Sequence, residues 1–424
     1  MIIQSVRGMP DILPEKAGAW GYLEHTAQNI FNAHGLLQIR TPILESTGLF
    51  ARSIGDVTDI VEKEMYTFED RSGESLTLRP EITAGVVRAA IENGLLHNQT
   101  QRLWYQGAAF RHERPQKGRY RQFHQIGVEC FGIADAIMDA ELIEMTDQLW
   151  SKLGIREAVT LQLNSIGSTE ARDAYRDALV KFLSSRKERL DPDSQARLER
   201  SPLRILDSKN EQTQAVLVDA PSLFDYLTNR DLEHFQVLTD ALDQAGIHYQ
   251  LNPQLVRGLD YYSRTVFEWV TTELGAQGSI CGGGRYDGLA EHLGGRPTPG
   301  VGFALGMERV ILLLEVLSVI PNGFTRQADI FLMPQQSDCE PAIRQLARTL
   351  RGMFPSLRVM THIGGGSLKS QLKKADKSGA RIGLIIGETE LRNQQVVFKP
   401  LRGGEQETIS YDALLKRMSE FKDA

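Results

Sequence analysis

The sequence predicts a mixed α+β protein in two parts: a large N-terminal part of strands and helices interrupted by a helical insertion, then a small C-terminal α/β domain. Three observations carry this. Two strand-like runs, residues 103–110 and 123–131, flank a short basic stretch and read as a hairpin. The stretch from Ser168 to about Ala245 is charged, helix-favouring and poor in strand signals, as an insertion would be. Beyond Ala328 strand and helix signals alternate, the pattern of a small, mostly parallel α/β domain. At 424 residues the chain is also too long for one core.

Composition narrows the class before any motif is read. Hydrophobic residues make up 41% and charged residues 24%, the balance of a soluble globular chain rather than a disordered one. The formal net charge of -6 excludes a generally basic nucleic-acid binder and leaves local basic patches open. Cys130, Cys281 and Cys339 lie far apart without CxxC spacing. Neither a disulfide framework nor a zinc site is expected, and the expected setting is a reducing cytoplasm. The first residues carry Arg7 and Pro10 where a signal peptide needs an apolar core. The most apolar run, 310–320, contains Glu315 and is too short to span a bilayer, so no membrane association is expected.

Taken in order, residues 15–34 place Trp20, Leu23, Ala27, Ile30 and Phe31 at a helical period that Gly35 stops. Residues 36–40 predict a strand closed by Thr41 and Pro42. Residues 65–68 and 75–78 flank Asp70-Arg71-Ser72-Gly73, a hairpin turn. Leu78-Arg79-Pro80-Glu81-Ile82-Thr83 then leads into a helix that stops at Asn93-Gly94. At this strand-to-helix junction Glu81 either points into a cleft or favours the positive end of the helix. A helix over 139–153 and a strand over 159–163 follow the basic hairpin. Within the insertion, Ser168, Asp191-Pro192 and Pro221 read as helix starts. Strands resume at 249–251 and 255–256. Residues 255–268 read as strand-like, decorated by Arg257, Asp260, Tyr261, Tyr262 and Arg264, with the two tyrosines on alternate faces. Gly282, Gly283 and Gly284 read as a glycine turn before Arg285 and Asp287, and Asp287 either structures that turn or touches ligand. Residues 299–315 form a small-residue strand entering a helix whose first turn carries Glu308 and Arg309. The pattern breaks between 319 and 328. Strands at 330–333, 357–360 and 382–386, helices at 341–353 and 367–377, a hairpin over 396–409 and a last helix from Ala413 complete the chain. The expected domains are therefore 1–325, interrupted by 168–245, and 326–424.

The chemistry concentrates in the hairpin loop, where Arg111, Arg114, Lys117, Arg119 and Arg121 crowd together in an acidic protein and point to an anionic ligand. No GxxxxGK[ST] occurs, and the glycines at 282–284 lack the strand, GxGxxG and helix order of a dinucleotide fold. Bound phosphates must then be held by arginine forks, and Arg111, Arg257 and Arg309 each stand near a strand or a strand-to-helix turn. Any one arginine taken alone is more often a surface salt bridge. His112 and His124 have no third ligand at suitable spacing, so no protein-only metal site is expected. Lys369, Lys373 and Lys377 line one face of a helix with Leu368 and Leu372 on another, the mark of a solvated face.

The arginines coincide with a known pattern. The first helix, strand and Pro42 resemble the first motif of the class II aminoacyl-tRNA synthetases. Phe110-Arg111-His112-Glu113 with its basic loop and returning strand resembles the second motif, and Gly300 to Arg309 the third. Two further stretches, Arg257-Gly258-Leu259-Asp260-Tyr261-Tyr262 and Gly282 to Gly288, look like the pair peculiar to the histidyl-tRNA synthetase family, and the resemblance runs along essentially the whole chain. It implies an antiparallel sheet flanked by helices, a C-terminal domain that binds the tRNA anticodon stem and loop, and a homodimer. It also implies activation of L-histidine by ATP with Mg²⁺, followed by transfer to tRNA(His).

Carried over by position, Arg111 resembles the arginine on the α-phosphate and Arg309 that on the γ-phosphate, while Arg257 looks like the extra arginine directed at the reacting carboxylate and phosphate. Glu113 and Phe123 match the adenine site, with Arg119 also on the ATP side; Arg114 and Gln116 are left for the tRNA acceptor end. Glu81 and Thr83 match the α-amino site. Gln125 and Glu129 share a strand face through their even spacing. With Tyr261 or Tyr262 they suit a ring that needs a partner at each nitrogen. Ile82 departs from the pattern: many bacterial relatives carry glycine there, and a branched side chain restricts the local backbone. The rival implied by the same resemblance is a catalytically silent relative, a regulatory subunit of ATP phosphoribosyltransferase in histidine biosynthesis. Such relatives usually lack the anticodon domain and lose catalytic arginines, whereas Arg111, Arg257 and Arg309 are present here. A class II synthetase for another amino acid is disfavoured by the two extra stretches.

Overall fold

The computed structural model describes residues 3–55, 58, 60–275 and 278–421. Its contacts form two units, Met1–Ile12 with Tyr22–Val319, and Leu13–Gly21 with Ile320–Ala424. The first helix, α1 (Pro14–Ala33), contributes to both. The larger unit continues with β1 (Leu37–Gln38), β2 (Leu44–Ser46), α2 (Thr47–Ile54), β3 (Tyr66–Glu69), β4 (Ser75–Leu78), α3 (Thr83–Glu92), β5 (Gln101–Phe110), β6 (Gln122–Phe131), α4 (Ile137–Leu153) and β7 (Thr160–Ser165). Helices α5 (Thr169–Ser184), α6 (Pro192–Arg197), α7 (Glu211–Leu217) and α8 (Asn229–Gln244) follow, then β8 (Tyr249–Leu251), β9 (Ser263–Val270), β10 (Ser279–Arg285), α9 (Leu289–His292), β11 (Gly300–Gly306) and α10 (Met307–Leu317).

Eight of these strands make one sheet in the order β1-β5-β6-β11-β10-β9-β7-β8. Every inner pair is antiparallel; only the edge pairs β1–β5 and β7–β8 are parallel. The predicted hairpin forms with full register, Gln101 opposite Phe131 through Phe110 opposite Gln122. Three expectations are corrected. Residues 255–262 are loop and turn, and β9 begins only at Ser263. The three glycines form no turn: they lie in the middle of β10, between β9 and β11. The first-motif strand is also shorter than 36–40, reduced to the two exposed residues of β1.

The helical stretch 168–245 starts where its caps predict. Ser168 accepts from Ala171 N, and Asp191 accepts from Ser194 N with Pro192 in the first turn. It is not an appendage, because Leu179, Leu183 and Leu217 belong to the same buried apolar cluster as Tyr105, Phe131 and Tyr286 of the sheet.

The smaller unit holds α11 (Asn322–Thr325), β12 (Ile330–Pro334), α12 (Glu340–Met353), β13 (Val359–Thr361), α13 (Leu368–Lys377), β14 (Ile382–Ile386), α14 (Glu388–Asn393), β15 (Gln395–Pro400), β16 (Glu407–Ser410) and α15 (Tyr411–Glu420). Its sheet runs β13-β12-β14-β15-β16 and is half parallel rather than mostly so, since β14, β15 and β16 pair antiparallel. The short α14 had no sequence signal strong enough to separate it from the turn after β14. Among the described residues no helix is long and apolar enough to cross a membrane.

A buried ion pair ties the large unit together. Arg285, at the end of β10, and Asp139, on α4, have fully buried side chains and bond each other. The guanidinium also donates to Ile133 O at 2.9 Å and Asp135 O at 3.1 Å. Thr265 donates to Asp139 Oδ2 at 2.7 Å, and His234 Nε2 lies 2.9 Å from the same oxygen. Burial opposes ionisation of Asp139, but the His234 bond and the Arg285 charge together hold its carboxyl below the ordinary carboxylate value. Replacing Arg285 by Met strands this carboxylate without its main partner. The expected cost is about 3–5 kcal/mol in denaturant unfolding, against less for the double change with Asp139→Asn.

Candidate functional site

Two adjoining cavities open on the central strands. The smaller, about 90 Å³, lies between the start of α3, β6 and the 255–262 loop. On β6 the two-residue period points Gln125 and Glu129 into it together. Glu129 is almost fully buried and accepts from Thr83 Oγ1 at 2.7 Å, from Tyr105 OH at 3.1 Å and from Tyr286 OH. Burial raises its pKa to about 8 against these bonds. Gln125 differs: its Oε1 is buried and has no hydrogen-bond partner. A buried acceptor without a donor is costly, and a ligand N–H would satisfy it.

Glu81 is buried beside them. Its carboxylate accepts from Thr83 N at 2.7 Å and Ala84 N at 2.8 Å, so it caps α3 while facing the cavity. Both readings of this residue hold at once. Burial raises its pKa above the ordinary carboxylate value. Tyr261 and Tyr262 do not alternate, because they belong to a turn: their rings lie 4.7 Å apart and both line this cavity. Ile82 is buried at the mouth of α3 in the helical region, at φ -105.

The larger cavity, about 190 Å³, is lined by Arg111, Glu113, Arg119, Phe123 and Arg309. Arg111 donates to Pro80 O at 2.9 Å, and its guanidinium lies 5.2 Å from the Phe123 ring centre. Glu113 and Arg119 form an ion pair. Arg309 donates to Ser279 O at 2.7 Å and Gly118 O at 3.3 Å. Arg257 bridges to Glu268 at 2.7 Å and passes over the Tyr262 ring at 5.8 Å, while its Nε is buried without a partner. Burial lowers the pKa of Arg111 and of Arg309, and the neighbouring arginines push in the same direction. Such a group of partly desolvated cations stabilises an anion between them.

The two cavities share a wall of Arg111, Gln125, Arg257, Gly282 and Ala304. Gly282 and Gly302 make the space. A Cβ on Gly282 would collide with the Arg257 guanidinium, and one on Gly302 with the Glu129 carboxylate. Arg114 and Gln116 are exposed on the loop between β5 and β6 and line neither cavity. Asp287 accepts from Gly300 N at 3.1 Å and from Arg285 at 3.2 Å, next to β10 and not in a glycine turn. His124 pairs with Glu308, and among the described residues no group of three His, Cys, Asp or Glu is placed to hold a metal.

Tyr105, Tyr286 and Glu268 complete the site without having been singled out. Tyr286 carried a signal, its place directly after Arg285 in the glycine-rich stretch. Tyr105 and Glu268 carried none, since their partners Glu129 and Arg257 come from other segments.

An antiparallel sheet with parallel edges, arginines gathered on its central strands and a separate α/β unit is the fold of a class II aminoacyl-tRNA synthetase. Comparison with known proteins specifies it further. A histidyl-tRNA synthetase family model matches residues 8–310, and an anticodon binding domain model matches residues 329–421. The crystal structure of apo S. aureus histidyl-tRNA synthetase is similar at a TM-score of 0.80 and 35% identity, over 98% of this chain and 99% of that one. The chain belongs to the histidyl-tRNA synthetase family. Two more distant structures share the fold. Histidyl-tRNA synthetase from Nostoc sp. PCC 7120 has a TM-score of 0.75 and 19% identity, over 99% of each chain. An ATP phosphoribosyltransferase regulatory subunit/histidyl-tRNA synthetase from Bacillus halodurans C has a TM-score of 0.64 and 21% identity, over 91% of this chain and 98% of that one.

The raised pKa of Glu129 has a measurable consequence. Between roughly pH 4.5 and 8 the folded protein keeps a proton that the unfolded chain releases, so this residue costs stability as pH rises through that window. Glu129→Gln cannot titrate. The variant is expected to gain on the unchanged protein by about 1 kcal/mol per pH unit across the window in urea unfolding. A constant difference across the window would contradict the assignment.

Proposed function

We propose that the protein is a histidine–tRNA ligase, which converts L-histidine and ATP to histidyl-adenylate and pyrophosphate and then transfers histidine to the 3' end of tRNA(His). The observation that carries this reading is the shared wall: a cationic cavity suited to a triphosphate meets a small polar cavity at Arg111, Gln125 and Arg257. In the reaction a carboxylate oxygen of histidine attacks the α-phosphorus, and the bond to the leaving pyrophosphate breaks. Little proton transfer is needed, so the side chains act by positioning and by neutralising charge.

Arg111 holds the α-phosphate and Arg309 the γ-phosphate. Arg257, at the junction, turns from Glu268 toward the carboxylate and phosphate as they react. Phe123 stacks on adenine with Glu113 beside it, and Arg119 adds charge. Glu113 and Glu308 line that cavity but are engaged by Arg119 and His124, so a Mg²⁺ would enter with the triphosphate and would be held mainly by phosphate oxygens and water. When bound, it neutralises phosphate charge.

Glu81 and Thr83 face the α-ammonium. Gln125 accepts from one ring N–H and Glu129 faces the other edge, with the tyrosines closing the pocket. A site of this kind leaves polar groups unpaired around an apolar analogue, which rejects it by several kcal/mol. Arg114 and Gln116, on the exposed loop, are available to the acceptor end of the tRNA, and the exposed lysines of α13 suit contacts to its phosphates. A homodimer and a cytoplasmic setting go with this reading.

A second reading is a regulatory subunit of ATP phosphoribosyltransferase without catalysis, a role named for the Bacillus halodurans C protein that shares this fold. The three arginines argue against it; the C-terminal unit does not discriminate, since that structure covers 91% of this chain.

Purified protein with ATP, Mg²⁺ and each of the twenty amino acids in turn is expected to support ATP–pyrophosphate exchange with histidine alone. Binding of histidine without exchange would favour the regulatory reading. Arg257→Ala is expected to lower exchange turnover by about 10²–10³-fold while histidine affinity changes far less, as for loss of one preorganised donor to developing charge. Loss of affinity with unchanged turnover would refute the role given to Arg257.

A further inference from the structure

The loop that carries Arg257, Tyr261 and Tyr262 is held on one side by the helical insertion. Arg172, on α5, donates from Nη1 to the carbonyl of Tyr262. Arg204, in the short helical turn Pro202–Asp207, donates from Nη2 to Gly258 O at 2.6 Å and lies 3.5 Å from Asp260. These bonds land on backbone carbonyls that no sheet ladder satisfies, because β9 begins only at Ser263. The tie of Asp260 N to Ile54 O on the opposite side is long, at 3.4 Å.

Packing supports this face only in part: Leu206 of the insertion and Leu255, Tyr261 and Tyr262 of the loop share one apolar cluster, with Leu203, Val256 and Leu259 against it. A cavity of about 270 Å³ opens beside these contacts, with Leu203, Leu206, Val256 and Leu259 on its walls. The two guanidinium groups span it. Burial lowers the pKa of Arg172, whose bond to Tyr262 is half-buried. The Arg204 side chain is 14% exposed but meets an exposed carbonyl at Gly258, so of the two bonds that of Arg172 is the better shielded. Bonds from charged donors in such surroundings are the strong kind. At the end of the loop Arg264 is clasped as well. Its φ is +51, its N–H donates to Gly167 O at 2.7 Å, and its carbonyl accepts from Ile166 N at 2.7 Å. A left-handed arginine persists only where its surroundings determine it, so the position of the insertion's first residues and the exit direction of the loop are set together.

We infer that Arg172 and Arg204 are positioning residues through which the helical insertion sets the histidine-side loop, and with it Arg257 and Tyr262. This rests on the proposed function for its kinetic readout. Losing either strut frees the loop to move toward the cavity, away from the wall shared with the larger cavity. Of the two site cavities Tyr262 lines the histidine-side one only, so histidine binding weakens, and Arg257 on the shared wall is displaced with it, so turnover falls as well. Arg111, Phe123 and Arg309, held by other segments, keep ATP binding in place.

The test uses the full chain with Arg204→Ala, Arg204→Lys and Arg172→Gln, with KM for histidine and for ATP measured separately in exchange and histidine binding measured by calorimetry. Arg204→Ala and Arg172→Gln are expected to raise the histidine KM about 10-fold or more, with the ATP KM within about twofold. Arg204→Lys is expected to recover part of the loss. Combined with Arg257→Ala, Arg204→Ala is expected to lower kcat/KM for histidine by less than the product of the single effects on kcat/KM, since both act through one loop. Equal effects on the two substrates, strictly multiplicative losses, or an unchanged histidine KM would overturn the inference. If Arg204→Ala does not fold, Arg172→Gln decides by the same criteria. If the unchanged protein shows no exchange, the functional reading fails by itself. Calorimetry then still decides the positioning role: weaker histidine binding in the variants supports it and unchanged binding overturns it.

Discussion

The site depends on charged side chains lying flat against the middle of a β-sheet, and that is allowed only where the strand beneath has no Cβ. Arg257 rests on Gly282, and Glu129 leans over its cross-strand neighbour Gly302. A side chain at either glycine would push the charged group off the sheet and fill the cavity. Glycine in a strand is normally unfavourable. Here the loss is accepted at the point where polar groups must approach closely enough to share one wall between two cavities.

From that constraint the electrostatics follow. Groups pressed onto the sheet lose water, so the Glu129 pKa rises to about 8 and those of Arg111 and Arg309 fall. Such groups are tolerated because neighbours hold them: Thr83, Tyr105 and Tyr286 on Glu129, and Glu268 on Arg257. The unpartnered Gln125 Oε1 and Arg257 Nε are the exceptions, and both belong to residues on the shared wall. Behind this surface the buried Arg285–Asp139 pair anchors β10 immediately after its glycines. A glycine-rich strand has few side chains of its own to pack, and the pair supplies the fixed point it lacks.

The helical insertion belongs to this scheme and is not a decoration of it. It shares the apolar cluster of the sheet, and its arginines complete the backbone bonding of the 255–262 loop. The loop has no strand partners because it must carry Arg257 and two adjacent tyrosines toward one cavity, which strand alternation forbids.

Much of the architecture could be read from local pattern. Helical period, Gly and Pro stops, cap residues and the β5–β6 hairpin are decided by neighbours in sequence, so α1, α3, α4, α10, α12, α13, α15 and the helical insertion are legible in it, while the short α2, α9 and α14 are not. Gln125 and Glu129 were legible as one face because strand alternation is local. The failures lie where distant chain decides. Gly282 to Gly284 read as a turn, since glycine usually marks one, yet β9 and β11 pair with them on both sides. Tyr261 and Tyr262 read as opposite faces until the start of β9 was set by Gly167 and β7. Tyr105 and Glu268 gave no signal, for their roles exist only once Glu129 and Arg257 are brought beside them. By itself the sequence determined which residues form the elements and which charged groups are available. The tertiary structure decided which of them lose water together, because desolvation and pairing are properties of the assembled sheet and not of any single segment.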